Sequence, residues 1–395
     1  MTGVADTAAR IAPLCRRVPI TRVANLTPLD PLALPVFGAV TPLAQDLTTH
    51  LGKGFDAVAA RVSALMEAIE RPTAEGEHVS AFACSLDSLM QREQGGAGAE
   101  LVMDPRHCDL PPGTSFRPEL PISWIEGREM LTGRPMWAAL DLVLNPPREG
   151  VLLDVNTNGL ASGNTLLEAV VHALCEVIER DAVSQHLFAD LYGESVTETL
   201  PTRCINTRTL PVHVRNWVRR LEEHDLAVAV SEITTDIAVP TFRATLLDPA
   251  FPVGTNLEDG VFFGYGCAPS TALAVGRAVT EVVQSRLGVI QGARDSFNEI
   301  PLASSSTSAV AGLRDLQPGP RLDFAEVPDY ETLDLADDLE FILRQLRTAG
   351  FEQVFAADLT RPDLGVPVVR VVVPGLSIFV GNRQRVGWRC LRHLL

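Results

Sequence analysis

Acidic side chains recur at helical spacing in one segment near the start of the chain. Ser63, Glu67 and Glu70 lie at positions i, i+4 and i+7 of an otherwise apolar run. At about 100° per residue, the three side chains fall within roughly 60° of arc on a helix. One such stripe is usually a solvated helix face. A row with two carboxylates can also bind a cation.

The same pattern recurs in two later segments. Glu168 and Glu179 would project within about 20° of each other on a helix, with Glu176 about 80° to one side. In the third segment, Glu281 and Gln284 share a helix face through their i, i+3 spacing. Because the pattern repeats, a purely solvated face becomes a weaker explanation for each segment.

Carboxylates gathered in one cavity would repel each other unless cations neutralised them. Hard oxygen ligands without clustered His or Cys favour Mg²⁺ over zinc or iron. The anionic substrate held through that metal would be a nucleoside triphosphate. The sequence has no P-loop, kinase-type or Rossmann-type glycine motif, so the nucleotide site would be an unusual one. Gly52-Lys53-Gly54 alone is weak evidence for phosphate binding.

The composition limits the fold, the compartment and the partners. The 395 residues are 46% hydrophobic and 21% charged, which suffices for one large core or several subdomains. Seven scattered cysteines without a C-x-x-C pair indicate a reducing cytoplasm. The formal charge of −16 argues against wrapping around nucleic acid. No segment has the pattern of a secretory signal or a membrane span.

Hydrophobic periodicity and the positions of Gly and Pro predict the elements that carry these residues. Helices are expected over residues 56–70, 165–188, 271–290 and 335–349. Strands are expected over residues 20–24, 34–40, 137–144, 151–155, 226–233, 241–247, 262–267, 353–357 and 366–373. Exposed loops are expected over residues 91–100, 304–311 and 317–319. The predicted fold class is mixed α/β (α+β), in which a strand, a glycine loop and a long helix recur.

Taken together, three spaced motifs resemble the YcaO family, whose ATP-dependent enzymes activate peptide-backbone amides. Its first helix carries S-x-x-x-E-x-x-E, its second opens with G-N-T-x-x-E-A and closes with E-x-x-E-R, and its third carries E-x-x-Q-x-R. The matching residues here, in that order, are Ser63, Glu67 and Glu70, then Asn164, Glu168, Glu176, Glu179 and Arg180, then Glu281, Gln284 and Arg286. Residues 20–30, 52–54 and 358–375 also resemble the branch encoded beside a TfuA partner.

The resemblance implies a YcaO-like fold of mixed β-sheets, with long Glu-bearing helices around a nucleotide cavity. Residues 1–44 would be an N-terminal strand segment integral to the fold, and residues 45–395 would be the catalytic domain. No separate leader-peptide-binding domain is expected. The resemblance also implies ATP and Mg²⁺ as cofactors, a peptide or protein substrate, a homodimer and a cytoplasmic location.

The resemblance further assigns roles to individual residues. The implied metal ligands are Glu67, Glu70, Glu176 and Glu179. The implied nucleotide contacts are Ser63, Glu67, Asn164, Glu168, Arg180, Glu281, Gln284 and Arg286. Lys53 and Arg286 are the implied catalytic residues, near the phosphates or the substrate. Two alternatives stay open, because Lys53 could be ordinary loop surface and Arg286 could be a surface residue pointing away from Glu281.

The nucleophile separates the reactions of the family. Azoline-forming members use a neighbouring Cys or Ser, macroamidine-forming members use an amine, and thioamide-forming members use sulfide. Azoline formers commonly end in a P-x-P-x-P tail, whereas residues 386–395 contain no proline. We therefore expect a thioamide synthetase that acts with a sulfur donor and a TfuA-like protein, for example in RiPP biosynthesis. Azoline or macroamidine formation and a non-catalytic scaffold are the alternatives.

Three cysteines lie where sulfur chemistry deserves consideration. Cys267 and Cys390 are loose candidates for carrying a persulfide. Cys175 directly precedes Glu176 and is expected to be a small core residue, because buried cysteines behave as small hydrophobic side chains.

Overall fold

Long segments with helical periodicity fold as the helices that the sequence predicts. The computed structural model describes residues 3–94, 100–153, 156–192, 200, 202–251, 260–292 and 313–394. The α-helices within those residues are Val4–Ile11 (α1), Ala57–Ala74 (α2), Leu86–Gln94 (α3), Leu166–Tyr192 (α4), Val212–Glu222 (α5), Thr271–Gln291 (α6), Leu335–Thr348 (α7) and Trp388–Leu391 (α8).

The strands are mostly short and lie between these helices in runs of one to four. Those within the described residues are Arg22–Asn25 (β1), Val36–Val40 (β2), Thr49–Lys53 (β3), Phe82–Ser85 (β4), Leu101–Val102 (β5), Pro121–Glu129 (β6), Pro135–Ala139 (β7), Leu160–Ser162 (β8), Arg203–Cys204 (β9), Ala227–Glu232 (β10), Thr241–Leu247 (β11), Val261–Cys267 (β12), Phe355–Asp358 (β13) and Val368–Val372 (β14). The predicted mixed α/β class is confirmed.

The chain folds as two units, each assembled from separate stretches of sequence. The first unit comprises Met1–Pro42, Thr48–Ala68 and His186–Leu333. The second unit comprises Leu43–Leu47, Ile69–Gln185 and Asp334–Leu395. Helices α2 and α4 contribute residues to both units. The domain limits expected at residues 44 and 45 remain predictions.

The first unit contains two antiparallel sheets and the helix with the third motif. Their strand orders are β1-β2-β3 and β12-β11-β10-β9. Phe242, Ala244 and Leu246 alternate along β11, so they share one face of the sheet and are fully buried. Helix α6 contributes buried Val275 and Val279 to the same core. This packing explains why α6 and β11 follow their predicted bounds closely.

The second unit is built on a seven-stranded sheet. Its strand order is β5-β7-β6-β13-β14-β8, and β4 also pairs with β6. Every pairing is antiparallel except the one between β5 and β7. The core of this unit includes Trp124, Met136, Phe355 and Val368, all of them fully buried.

Glycine allows two strands of the first unit to lie directly against motif helices. A Cβ atom on Gly52 of β3 would lie 2.0 Å from the backbone nitrogen of Ala64 in α2. A Cβ atom on Gly264 of β12 would lie 2.2 Å from the backbone nitrogen of Val282 in α6. Real Cβ atoms do not approach other atoms this closely, so each strand packs backbone to backbone on its helix.

Helices α4 and α6 begin at the start signals that their sequences contain. The hydroxyl of Thr165 accepts a hydrogen bond from the backbone N–H of Glu168 at 3.1 Å, as an N-terminal capping side chain does. The hydroxyl of Ser270 caps α6 in the same way through Leu273 N–H. Gly292 then ends α6 in the left-handed conformation.

Three local predictions are wrong or only partly tested. Residues 91–94 belong to helix α3 rather than to a loop, and residues 95–99 lie outside the described residues. The strand expected over residues 137–144 ends at Ala139, and residues 151–153 form no strand. Residues 140–142 instead form a 3-10 turn, in which the buried carboxylate of Asp141 accepts hydrogen bonds from Glu149 N and Val151 N at 2.9 and 3.0 Å. Residues 154, 155 and 304–311 lie outside the described part.

Within the ranges that the structure describes, no helix combines the length and apolar character needed to cross a membrane.

The close contact between Gly52 and α2 predicts how much a larger side chain at this position destabilises the protein. Gly52→Val should lower the free energy of unfolding by about 3 kcal/mol, because overpacking against helix backbone cannot be relieved by a side-chain rotation. Urea denaturation followed by circular dichroism measures the loss. Gly319→Val is the matched control, since a Cβ atom there meets nothing within 4 Å, and it should cost less than about 0.5 kcal/mol. Equal effects of the two substitutions would contradict the packing argument.

Candidate active site

Helix α6 and two strands of the first unit meet at the carboxylate of Glu281. The ammonium of Lys53, at the end of β3, forms an ion pair with Glu281, and each side chain is only 24% exposed. The backbone N–H of Tyr265 in β12 donates to Glu281 Oε1 at 3.3 Å. Gln284 Nε2 donates to the carbonyl oxygen of Leu51 in β3 at 2.5 Å. The alternative that Lys53 is ordinary loop surface is therefore wrong.

The polar row on α2 is only partly exposed to solvent. Ser63 and Glu67 are half-buried, whereas Val58 and Arg61 on the same helix are exposed. The polar row and the outward face of α2 thus lie on different sides of this helix. The interpretation of Ser63 and Glu67 as a solvated face is wrong, and their roles toward a nucleotide remain predictions.

Arg286 lies in the interior of the first unit. Its Nε and one terminal nitrogen donate to Asp248 Oδ2 at 3.1 and 2.8 Å, and its other terminal nitrogen donates to Asp30. The side chain of Arg286 is 10% exposed, and those of Asp30 and Asp248 are less exposed still. The alternative of a surface residue is wrong. The catalytic and nucleotide-binding roles of Arg286 remain predictions, and its observed contacts join α6 to two loops.

In the second unit, Asn164 and Glu168 bind each other at the start of α4. The backbone N–H and the side-chain amide of Asn164 donate to the two carboxylate oxygens of Glu168 at 3.2 and 3.1 Å. Glu168 therefore holds the residue that directly precedes the capping Thr165 of α4. Both residues are half-buried, so they are held in place where the motif predicts nucleotide contacts.

Glu70 is linked to the strand that precedes α4. The hydroxyl of Ser162, at the end of β8, donates to Glu70 Oε2 at 2.9 Å. Ser162 is 8% exposed. Sequence reasoning did not single out Ser162, although it directly precedes the Gly163-Asn164 opening of the second motif.

The closing part of the second motif is enclosed by protein. Glu179 is 9% exposed, Glu176 and Arg180 are half-buried, and the intervening Val177 and Ile178 are buried. A solvated face is therefore wrong for this row as well.

The donor chemistry of the predicted metal ligands fits Mg²⁺. Across all residues that the structure describes, no three His, Cys, Asp or Glu side chains are grouped closely enough to hold a metal ion. Mg²⁺ needs no such cage, because it is commonly held by one or two carboxylates, water and substrate phosphates. The ligand roles of Glu67, Glu70, Glu176 and Glu179 remain predictions.

The cysteines give no support to a protein-bound sulfur carrier. Cys175 is a buried core residue, as expected, and Cys267 and Cys390 are 0% exposed. Burial raises the pKa of the Cys390 thiol to about 11. Because the thiolate is the reactive form, Cys390 is inert near neutral pH.

A family model matches most of the chain. It covers residues 51–377 and is described as YcaO cyclodehydratase, ATP- and Mg²⁺-binding. The chain belongs to the YcaO family. YcaO enzymes are ATP-dependent and modify peptides, and the predicted cofactors, ATP and Mg²⁺, are those of the family.

Two curated relatives of this YcaO protein align along nearly the whole chain. An uncharacterized protein of Methanothermobacter thermautotrophicus is 34% identical over 394 residues, covering 94% of this chain and 93% of the relative. An uncharacterized protein in the tfuA 3' region of Rhizobium leguminosarum bv. trifolii is 31% identical over 408 residues, covering 98% and 91%.

Solved structures share the fold. The YcaO from Methanopyrus kandleri, bound with AMPPCP and Mg²⁺, has a TM-score of 0.74 at 25% identity and covers 98% of this chain and 94% of its own. A heterocyclase in complex with substrate and cofactor has a TM-score of 0.76 at 22% identity. That match covers 96% of this YcaO chain, which spans about half (53%) of the heterocyclase.

The ion pair of Lys53 and Glu281 should be measurably coupled. A double-mutant cycle of Lys53→Met and Glu281→Gln should give a coupling of about 1 kcal/mol in the free energy of unfolding, because both groups are largely shielded from water. The control pair is Arg219 and Glu223, which are 69% and 60% exposed and 3.6 Å apart. Their coupling should not exceed about 0.5 kcal/mol, and a larger coupling at the control pair would refute the comparison.

Thiol labelling tests the assignment of the cysteines. In the native protein at pH 7.5, iodoacetamide should modify partly exposed Cys204 and leave Cys267 and Cys390 unmodified until urea is added. Peptide mapping by mass spectrometry reads the sites. Labelling of native Cys390 at the rate of Cys204 would show that its thiol is accessible and reactive.

Proposed function

We propose that this YcaO enzyme uses ATP to phosphorylate the oxygen of a peptide-backbone amide and installs sulfur in place of that oxygen. The observation that carries the proposal is the enclosure of the motif carboxylates on α2 and α4. Glu67, Glu70 and Glu176 are half-buried, and Glu179 is buried. Enclosed carboxylates are costly unless a cation or donor compensates them, and the family binds Mg²⁺ and ATP.

The reaction balances with hydrosulfide as the nucleophile. Hydrosulfide adds to the amide carbon, the amide oxygen takes the γ-phosphoryl group, and ADP leaves. The carbon–oxygen bond then breaks with release of phosphate, so that amide, ATP and HS⁻ give thioamide, ADP and HPO₄²⁻. Phosphorylation is needed because the oxygen of an amide is a poor leaving group.

The chain would supply charge compensation and orientation. We assign the two pairs, Glu67 with Glu70 and Glu176 with Glu179, to Mg²⁺ around the triphosphate. Bound there, the metal would offset the charge of the phosphoryl group in transfer. The remaining proposed nucleotide contacts are Ser63, Asn164, Glu168, Arg180, Glu281, Gln284 and Arg286.

Two residues of α6 in the first unit fix the position of Lys53. Glu281 pairs with its ammonium, and Gln284 fixes β3 through the carbonyl of Leu51. We propose that Lys53 donates hydrogen bonds both to Glu281 and to a phosphate oxygen of the nucleotide. Removing Glu281 would therefore leave Lys53 without the carboxylate that orients it.

The choice of sulfur rests on the branch of the family. The Rhizobium relative is named for its position in the tfuA 3' region, and residues 20–30, 52–54 and 358–375 resemble the TfuA-associated branch. We therefore propose a TfuA-like protein as the partner that delivers sulfur, and a homodimer as the working state.

Cyclodehydration is the second candidate. The family model is described as a cyclodehydratase, and one structure of the same fold is a heterocyclase. In that reaction a Cys or Ser of the substrate peptide would attack the same activated amide, and the peptide would lose water.

Product mass tests the proposal. The purified chain is incubated with ATP, Mg²⁺, sulfide, a TfuA-like protein encoded beside it and peptides from the same genome. We expect a mass gain equal to the replacement of one oxygen by sulfur. Glu67→Gln and Glu179→Gln should each lower product formation about 100-fold or more, because metal-assisted charge compensation is lost.

The control variant is Glu340→Gln, which alters an exposed glutamate on α7 and should retain full activity. A mass loss of one water would establish cyclodehydration instead. Absence of both ATP turnover and nucleotide binding would leave a scaffold that keeps the fold.

A further inference from the structure

Residues 377–393 of the second unit, which we call the C-terminal clamp, are hydrogen-bonded along one face of α4. That face consists of Asp181, Ser184 and Gln185, which lie at i, i+3 and i+4 and are each 0% exposed. Only Ser377 of the clamp falls within the range that the family model matches, which ends at residue 377. The rest of the clamp lies beyond that matched range.

Asp181 is the centre of these contacts. Its Oδ1 accepts hydrogen bonds from Arg389 Nε at 2.7 Å and from Ser377 N at 2.9 Å. Its Oδ2 accepts from Gln185 Nε2 at 2.8 Å. Arg389 is itself 5% exposed and stacks 5.3 Å from the ring centre of Phe351. A fully buried ion pair of this kind holds its two elements in one fixed arrangement.

Gln185 and Ser184 extend the same contact by one turn. Because Gln185 Nε2 donates to Asp181, its Oε1 is the acceptor for Arg392 at 2.9 Å and for His393 Nε2 at 3.0 Å. Ser184 Oγ accepts from Val380 N at 3.0 Å. The clamp is thus hydrogen-bonded to three residues of α4 that lie within five consecutive positions.

The part of α4 that contacts the clamp directly follows the predicted metal ligands of that helix. Asp181 follows Glu179 by two residues and points about 140° away from Glu176 around the helix axis. A helix rotation of about 20° would move a carboxylate on the opposite side by about 2 Å. That displacement equals a whole Mg²⁺–oxygen bond length of about 2.1 Å, and Mg²⁺ demands near-ideal octahedral geometry.

We propose that Asp181 and Arg389 are positioning residues that set the rotation of α4, so that Glu176 and Glu179 present their carboxylates to Mg²⁺. This inference rests on the assignment of those glutamates under the proposed function. The clamp contacts the side of the helix away from Glu176, so its influence on the metal passes through the helix backbone.

The test is the Mg²⁺ dependence of nucleotide binding in the full chain. Calorimetry with AMPPCP as the nucleotide gives the Mg²⁺ concentration at half-saturation. Arg389→Met should raise that concentration at least about 10-fold, the size of effect expected when a partner that orients metal ligands is lost. Arg389→Lys, which keeps a charged donor, should restore most of the affinity.

Arg385→Met is the matched control. Arg385 is equally buried in the same segment, and its side chain donates to the carbonyl oxygens of Cys108 and Asp109, two residues outside α4. Arg385→Met should lower the unfolding temperature. It should leave the Mg²⁺ concentration at half-saturation within about twofold of the unmodified chain, because this residue does not orient the metal ligands. If Arg389→Met fails to fold, the double variant Asp181→Asn/Arg389→Met removes the buried charge and should show the same shift.

Either of two results would contradict this inference while leaving the proposed function intact. One is a Mg²⁺ half-saturation in the Arg389 variants that matches the unmodified chain, and the other is an equal shift in Arg385→Met. If the unmodified chain itself shows no Mg²⁺-dependent binding of AMPPCP, the proposed function falls and this inference falls with it.

Discussion

The close contact between glycine-bearing strands and motif helices is the constraint on which the first unit depends. At Gly52 and Gly264 any side chain would collide with helix backbone, so strands β3 and β12 approach α2 and α6 as nearly as the polypeptide permits. Lys53 and Tyr265, which directly follow these glycines, both contact the carboxylate of Glu281. The ion pair of Lys53 and Glu281 therefore lies beside positions where the strands carry no side chain.

Buried charge is compensated at several places in this acidic chain, and each compensation joins distant segments. Arg286 pairs with Asp30 and Asp248, and Asp181 pairs with Arg389. Removing one partner of such a pair leaves an uncompensated charge in a poorly solvating interior. These ion pairs therefore fix which segments can pack together, and the enclosed motif glutamates depend on the framework that results.

The sequence predicted well those elements whose conformation depends mainly on neighbouring residues. The periodic run of α6, with Ser270 at its start, and the alternation along β11 predicted both elements closely. Strand β3 was missed because its sequence, T-H-L-G-K, is not strand-like, and its conformation depends on pairing with β2 and on packing against α2. The direction of Arg286 around its helix followed from the sequence, but the partners did not, since Asp30 is 256 residues away. Ser162 was missed for the same reason, because Glu70 is reached only in the folded chain.

The grip of residues 377–393 on α4 also bears on the order in which the protein is made. Asp181 and Arg389 are separated by 208 positions, as are Gln185 and His393. During synthesis, α4 leaves the ribosome long before either partner exists, and domains generally fold in the order in which they emerge. The helix face around Asp181 therefore keeps a charge and two polar side chains unburied until Arg389, 208 positions later, has been synthesised. A chain synthesised only as far as α4 therefore has the motif but lacks the residues that complete its surroundings.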